Sequence, residues 1–410
     1  MTEPVPRDLM RHRAEGQRRV TNVELFYDLV YVFAVTQLSH YLLHYRTLTG
    51  ALEAGLLLVM VWLLWAYTAW LTNWLDPERI PVRLLLIGLM LVSLVMSAAL
   101  PSAFGDSGLL VGGAYALQQV GRSLFAVWAL RGQPLARNYQ RILVWCFVSG
   151  ALALAGGLTA SVFPRAAFWL AAAGVDLLGG VAGFYVPVLG RSATQEWNIE
   201  GGHFAERCQG FILIALGESI VVIGATLSGL LSPLSGPHAH RAATIAAFLV
   251  AFAGSAALWW LYFDRSADEG ARLIAESSDP GRLGRSAYHL IHPIMVAGII
   301  AVAAGDEIVL RGPDAPAAGP TAWLILGGTG LYIAGHMAFK LTVWHNFSWQ
   351  RAAGIAVLAL LALAAPHVSA LVLSTSAAAV VVAVAVADFL QLRTVAASGP
   401  TGATAGGDVP

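Results

Sequence analysis

The sequence predicts an all-α membrane protein, a bundle of about twelve transmembrane helices. Hydrophobic residues make up 57% of the 410 residues and charged residues only 12%, whereas a soluble globular protein carries about 25% charged residues. A helix of about 20 apolar residues spans the hydrocarbon core of a bilayer. Twelve stretches have this character, at 21–43, 51–74, 82–103, 108–130, 140–162, 166–189, 204–228, 241–263, 286–305, 321–343, 352–367 and 369–392. The eleventh stretch is short, which leaves ten or eleven spans as alternatives.

The arginine distribution predicts the orientation of these helices. Cytosolic loops of membrane proteins carry an excess of lysine and arginine. If the N-terminus is cytosolic, only four of the 24 lysine and arginine residues fall in external loops: Arg46, Arg165, Arg241 and Arg311. Both termini are therefore predicted to lie in the cytosol.

An ordered series of similar positions predicts two six-helix halves. Glu24 and Glu206 lie near the starts of the first and seventh stretches. Further pairs follow in the same order: Asp76 with Asp264, Tyr115 with Tyr332, Arg122 with Lys340, and Gln140 with Gln350. Because each half would contain an even number of helices, the two halves would have the same orientation in the membrane.

The predicted duplication divides the chain into four segments. A basic cytosolic tail occupies 1–19, the two halves occupy 20–195 and 196–394, and a C-terminal tail occupies 395–410. The tails are polar or rich in glycine and alanine, so both are predicted to be disordered.

Four carboxylates in the predicted helices are candidates for a polar path or ion-binding site: Glu24, Asp28, Glu206 and Glu218. A charge in the hydrocarbon region is unfavourable unless it is paired or hydrated. Glu24 could equally lie at the headgroup level, and Glu218 could equally be a structural hydrogen-bonding group. Because Glu218 lies near the middle of its stretch, we favour a role in handling an ion or a proton.

Six further polar residues are predicted to be counter-charges or structural partners: Arg122, Lys340, Arg207, His203, Asp176 and His336. Arg122 and Lys340 are expected to neutralise the acids of the first and seventh helices. Arg207 is expected to pair with its neighbour Glu206 at the membrane interface. Asp176 shares its helix with a glycine pattern that favours close helix packing.

Neither a metal nor another cofactor is predicted. His40 and His44, like His289 and His292, lack a third ligand at the spacing of a metal motif. The formal net charge is zero, so a nucleic-acid partner is not predicted. The expected partners are the lipid bilayer and a small ion or solute, and the sequence does not predict an oligomeric state.

Two sequence blocks resemble the bacterial low-temperature-requirement A family. They are VELFYDLVYVFAVTQLSH, from Val23 to His40, and HFAERCQGFILIALGESIVVIG, from His203 to Gly224. The likeness extends over roughly residues 20–395. It implies a multi-pass protein of the bacterial plasma membrane, in a family named for a requirement in growth at low temperature.

The start of the first helix also looks like the first-helix signature of a second family. Glu24-x-Phe26-x-Asp28 is similar to the signature of endolysosomal potassium channels with six-plus-six helices and of their bacterial relatives. That family has serine where Tyr27 stands, and a second aspartate where Gly210 stands. These departures put a shared pore in doubt.

The leading prediction of function is a transporter or channel for a small ion or solute. One alternative is an intramembrane enzyme acting on a lipid or isoprenoid. Such an enzyme would need clustered acids at a helix end to bind Mg²⁺, and the sequence has no DDxxD motif. The other alternative is a non-catalytic membrane component needed for growth at low temperature.

Overall fold

A helix lies in each of the twelve stretches that hydropathy predicts as spans, although the sixth helix ends at Val181, before the predicted end at 189. The computed structural model describes residues 9–11, 20–192, 200–231, 241–264, 266–317 and 319–397. Within these residues the helices are α1 (Asn22–His44), α2 (Leu48–Trp74), α3 (Ile80–Ala99), α4 (Gly108–Ala129), α5 (Leu135–Leu158), α6 (Val162–Val181), α7 (Gly201–Leu231), α8 (Arg241–Phe263), α9 (Ser266–Ala275), α10 (Pro280–Arg311), α11 (Pro320–Trp344), α12 (Trp349–Ala364) and α13 (Ala370–Ala397).

Ten helices among the described residues are long and apolar enough to cross a membrane. The long helices outside this set are α1 and α4, and both bury polar side chains. At about 1.5 Å per residue, the 23 residues of α1 and the 22 of α4 are still long enough to span the hydrocarbon core. The prediction of an all-helical, polytopic bundle is confirmed.

Two features of the helices were not predicted. The short helix α9 follows α8 and carries Asp268 and Glu269 in its first turn. Within α10, residues Gly284–Leu290 form a π-helical segment. Such segments are rare and are frequent at functional sites, and this one lies at the wall of a cavity described below.

The same series of neighbours occurs in both parts of the bundle. In the first part, α1 packs on α3, α3 on α4, α4 on α5, α5 on α6, and α2 on α6. In the second part, α7 packs on α10, α10 on α11, α11 on α12, α12 on α13, and α8 on α13. The contact between α1 and α7 joins the two parts.

Glycine allows the closest approach between helices of the second part. A Cβ atom on Gly298 of α10 would lie 2.6 Å from Tyr332 N and 2.7 Å from Gly328 O of α11. Because these neighbours are backbone atoms, they cannot move aside without shifting a helix. The separation of α10 and α11 is therefore set by the absence of a side chain at this position.

A short part of the N-terminal segment lies against the end of α2. Met10 forms an isolated β-bridge with Leu75, Arg11 N donates to Trp74 O at 2.8 Å, and Leu9 is buried. The end of α2 is thus on the side of the bundle where α1 begins, which we call the amino side. The predicted tails otherwise lie outside the described residues, except that 395–397 continue α13.

Candidate functional site

On the amino side, α1 and α7 are joined by a buried ion-pair cluster of Arg11, Glu24, Asp28, His203 and Arg207. Arg207 donates to Asp28 through Nη2 at 2.6 Å and through Nε at 3.1 Å, and its Nη1 donates to Glu24 Oε1 at 3.1 Å. Arg11 Nη2 lies 3.2 Å from Glu24 Oε2. Glu24, Asp28 and Arg207 are all at most 4% exposed.

Neutral groups complete the hydrogen bonding of this cluster. Trp65 Nε1 donates to Asp28 Oδ1 at 2.7 Å, and Thr21 N donates to Glu24 Oε2 at 2.9 Å. His203 Nε2 lies 3.0 Å from Glu24 Oε1, while Asn73 Nδ2 lies 3.3 Å from His203 Nδ1. His203 Nε2 also lies 2.8 Å from Arg11 Nη1. The two carboxylates of this cluster thus face two guanidinium groups, those of Arg11 and Arg207.

This geometry corrects the expected counter-charges. Arg207 neutralises Glu24 and Asp28, instead of pairing with its neighbour Glu206, which is exposed. Arg122 and Lys340 do not contact the acids of α1 and α7: their polar contacts lie within other parts of the bundle. The structure also does not bring the four predicted carboxylates together, because Glu206 faces outward.

Lys340 and His336 belong to a second group near the end of α13. Lys340 Nζ lies 3.4 Å from Asp388 Oδ2, and Arg351 Nη2 donates to the same oxygen at 2.7 Å. Arg351 Nη2 also lies 3.3 Å from His336 Nδ1. Asp388 was not among the predicted residues, although it is the carboxylate that neutralises this end of the second half.

Glu218 lies apart from both groups. It is about 26 Å along α7 from Gly201, as estimated from the helical rise, and is 1% exposed. Its Oε2 accepts a short hydrogen bond from Thr36 of α1. Its Oε1 has no hydrogen-bond partner among the described residues. Thr36 is eight residues beyond Asp28, so Glu218 lies about 12 Å deeper than the ion-pair cluster.

The surroundings of Glu218 contain further polar groups without partners. Ser219, which follows it, and Ser39, one turn beyond Thr36, have buried hydroxyl groups with no hydrogen-bond partner among the described residues. The ionisable side chains that act on Glu218 electrostatically are His40 and Glu307. Buried polar groups in proteins are normally satisfied by protein, water or an ion, so this part of the α1–α7 interface has unused hydrogen-bonding capacity.

Asp176 and Arg122 form a third group, bridged by a glutamine. Gln119 Nε2 donates to Asp176 Oδ2, and Arg122 Nη2 donates to Gln119 Oε1. Tyr115 also donates to Asp176 Oδ2. Arg122 lies over the ring of Tyr67, 5.0 Å from its centroid. Arg122 was expected to neutralise acids of the first and seventh helices, but its contacts lie among α2, α4 and α6.

The described residues contain no group of three or more histidine, cysteine, aspartate or glutamate residues that could hold a metal ion. The polar groups instead combine acids with guanidinium, hydroxyl and amide groups.

The residues missed by the sequence interpretation have one feature in common. Arg11, Thr36 and Asp388 each contact a predicted residue from a different helix or segment. The positions near helix ends could have identified Arg11 and Asp388 as charged residues close to a membrane interface. Nothing in the local sequence identifies Thr36 as the partner of Glu218, 182 residues away.

Comparison with known proteins agrees with the helical fold and the two sequence blocks. The chain matches the family described as bacterial low temperature requirement A protein over residues 19–386. It is also 33% identical over 387 residues to an uncharacterized protein of Rhizobium meliloti (strain 1021), and this similarity covers 94% of the present chain and 92% of that protein. The predicted family resemblance is confirmed: this protein belongs to the bacterial low temperature requirement A family and is a multi-pass membrane protein.

Proposed function

We propose that the protein moves a small ion or solute across the membrane and that Glu218 binds the proton or cation involved. The observation that carries this proposal is the incomplete coordination of Glu218. It is a buried carboxylate with one oxygen bonded to Thr36 and the other without a partner among the described residues. A carboxylate inside a membrane protein is by default a candidate for ion or proton handling.

The contrast with the ion-pair cluster supports this assignment. Glu24 and Asp28 each face a guanidinium group, which satisfies their charge. Among the described residues Glu218 has no ion pair, and its only hydrogen bond there is with the hydroxyl group of Thr36. Binding a proton or a small cation would supply the missing partner and neutralise the charge in a region from which water is largely excluded.

Thr36 can serve both states of Glu218. Its hydroxyl lies within hydrogen-bonding distance of Glu218 Oε2 and is also 3.1 Å from Val32 O. A hydroxyl has one proton to donate but can also accept. When Glu218 is ionised, Thr36 donates to it; when Glu218 is protonated, Thr36 accepts from it and donates to Val32 O. Rotation of one hydroxyl therefore accommodates gain or loss of a proton without moving a helix.

The proposal is tested with purified protein in liposomes. Vesicles containing a dye sensitive to H⁺, Na⁺ or K⁺ would each be exposed to a gradient of the matching ion, and ion entry would be recorded for the wild type and for Glu218→Gln. The amide is nearly isosteric with the acid but binds neither a proton nor a cation at this site. We expect the wild type to move at least one of these ions, and Glu218→Gln to abolish that flux while keeping the thermal unfolding temperature of the wild type.

Glu206→Gln is the matched control, because it removes an exposed carboxylate from the same helix. It should keep the flux of the wild type. Glu218→Asp should be partly active, since it retains the carboxylate but withdraws it by one methylene. Full flux in Glu218→Gln, or no flux of any of the three ions in the wild type, would contradict the proposal.

A further inference from the structure

A cavity on the amino side is separate from the site at Glu218. It has a volume of about 90 Å³ and lies among α2, α4, α5, α6 and the start of α10. Aromatic side chains from three elements form part of its wall: Trp70, Tyr139 and Phe184. Polar groups in its wall include Arg122, Asp176, Arg285 and His289. Mostly apolar walls with a few polar groups are typical of small-molecule sites.

Two buried polar atoms in the wall of this cavity lack hydrogen-bond partners among the described residues. They are Asp176 Oδ1 and His289 Nδ1. Asp176 is 1% exposed and His289 is 8% exposed, so bulk water does not replace the missing partners. Buried polar groups are normally satisfied by protein, water or a ligand, so both atoms are free to hydrogen-bond to a molecule bound in the cavity.

The charges of Asp176 and Arg122 are held apart. Gln119 bridges them, donating to Asp176 and accepting from Arg122, and neither residue forms an ion pair within the described part of the chain. A direct contact would have cancelled the two charges. Because Gln119 separates them, the carboxylate of Asp176 and the guanidinium group of Arg122 keep their charges side by side. Each can still bind a group of opposite charge.

Backbone geometry at the cavity wall is also unusual. Phe184 has a φ of +49°, which is a strained conformation for a bulky residue. Gly183 precedes it with a φ of +63°, and a Cβ atom there would lie 2.6 Å from Ser192 O. Arg285 and His289, which also line the cavity, lie in the π-helical segment of α10. Such departures from regular structure cluster at binding sites.

We propose that this cavity binds a small zwitterion, a molecule that carries an ammonium group and a carboxylate on a short carbon skeleton. The ammonium group would donate to Asp176 Oδ1, and the carboxylate would accept from Arg122. Arg285, which donates to Gly180 O at 2.6 Å, is a second guanidinium group in the wall of the cavity. The small volume limits the ligand to a few non-hydrogen atoms, about the size of alanine.

The test measures binding and therefore does not depend on transport or on Glu218. Titration calorimetry of the purified full-length protein in detergent would compare three probes: L-alanine, propionate, which lacks the ammonium group, and isopropylamine, which lacks the carboxylate. We expect L-alanine to bind at least about tenfold more tightly than either analogue, because each analogue leaves one charged group of the site unpaired. Equal binding of propionate or isopropylamine, or no binding of L-alanine, would overturn the proposal.

Asp176→Asn tests whether the carboxylate of Asp176 binds the ammonium group of the ligand. It should remove most of the preference for L-alanine over propionate, whereas Glu206→Gln should leave that preference unchanged. Unchanged binding of L-alanine to folded Asp176→Asn would overturn the proposal.

A second measurement leaves all the charged groups in place, so it decides the question if Asp176→Asn does not fold. Leu177 lines the cavity, and the two native cysteines, Cys146 and Cys208, are buried. Modification of Leu177→Cys by a water-soluble thiol reagent should be slowed by L-alanine but not by isopropylamine. Equal rates with and without L-alanine would count against the proposal.

Discussion

Replacing Arg207 with methionine should strongly destabilise the protein. Methionine keeps an unbranched apolar side chain but removes the guanidinium group that joins α1 to α7. Glu24 and Asp28 would then remain buried without the cation that donates three hydrogen bonds to them, at 2.6, 3.1 and 3.1 Å. Arg11 contacts only Glu24 of these two acids, so Asp28 would keep only the Trp65 indole as a hydrogen-bond donor.

The size of the effect follows from the burial of all three groups. Removing one partner of a buried ion pair destabilises a protein by about 3–5 kcal/mol, because the other charge is left uncompensated. The total free energy of unfolding of a typical protein is only about 5–15 kcal/mol. Since Arg207 is shared between two carboxylates, we expect Arg207→Met to lie in the upper part of the 3–5 kcal/mol range cited above.

Unfolding in mixed micelles, followed by tryptophan fluorescence and circular dichroism, measures this loss. A double-mutant cycle with Asp28→Asn separates the ion pair from other effects. Asp28→Asn should recover part of the stability lost in Arg207→Met, because it removes one of the two unpaired charges. Glu206→Ala, at the exposed neighbouring position, should change the free energy of unfolding by no more than about 0.5 kcal/mol. If Arg207→Met is as stable as Glu206→Ala, the cluster does not hold α1 and α7 together.

Two further predictions concern packing and topology. Gly298→Ala should destabilise the protein by about 1–3 kcal/mol in the same unfolding assay, because its Cβ atom would meet the backbone of α11. Gly88→Ala is the control, since a Cβ atom there has no neighbour within 4 Å. An equal effect of both changes would contradict this explanation. Reporter groups fused after Ser278 and near Pro316 should be cytosolic and external, respectively, and a cytosolic signal at Pro316 would contradict the proposed orientation.

The duplication into two halves stays a prediction. The equivalent series of neighbours in α1–α6 and in the long helices of α7–α13 is expected for repeats of either relative orientation. A superposition of the two halves without inversion, with Glu24 near Glu206 and Gln140 near Gln350, would support it. A fit that requires inversion would contradict it.

The positions of the long helices were predictable because their signal is local. A run of apolar residues must form a helix in a bilayer, where every backbone group needs an internal hydrogen bond. The short helix α9 was missed since a segment of ten residues outside the hydrocarbon has no such constraint. The π-helical segment of α10 was missed because its pattern depends on packing against other helices rather than on hydropathy.

The contacts within the site were harder to predict than the helices. In a helix that is apolar nearly all round, hydropathy does not indicate which face points inward. Glu206 and Arg207 are neighbours in sequence, but one is exposed and the other is buried in the ion-pair cluster. The sequence identified both as charged residues at the start of α7. Only the packing of α7 on α1 shows that Arg207 is the partner of Glu24 and Asp28.

The buried carboxylates discussed above are of two kinds: in one kind protein groups bind both oxygens, and in the other kind one oxygen has no partner among the described residues. Asp28 accepts from Arg207 and from Trp65, so further binding there would have to displace protein groups. Glu218 and Asp176 each have one oxygen without a partner among the described residues, although both are buried. The cost of leaving a buried acceptor unpaired would normally be removed by substitution or repacking. Because Glu218 and Asp176 each keep such an unpaired acceptor, we propose that ligands bind at these two residues. Arg207, whose partners are in place, is expected to stabilise the fold.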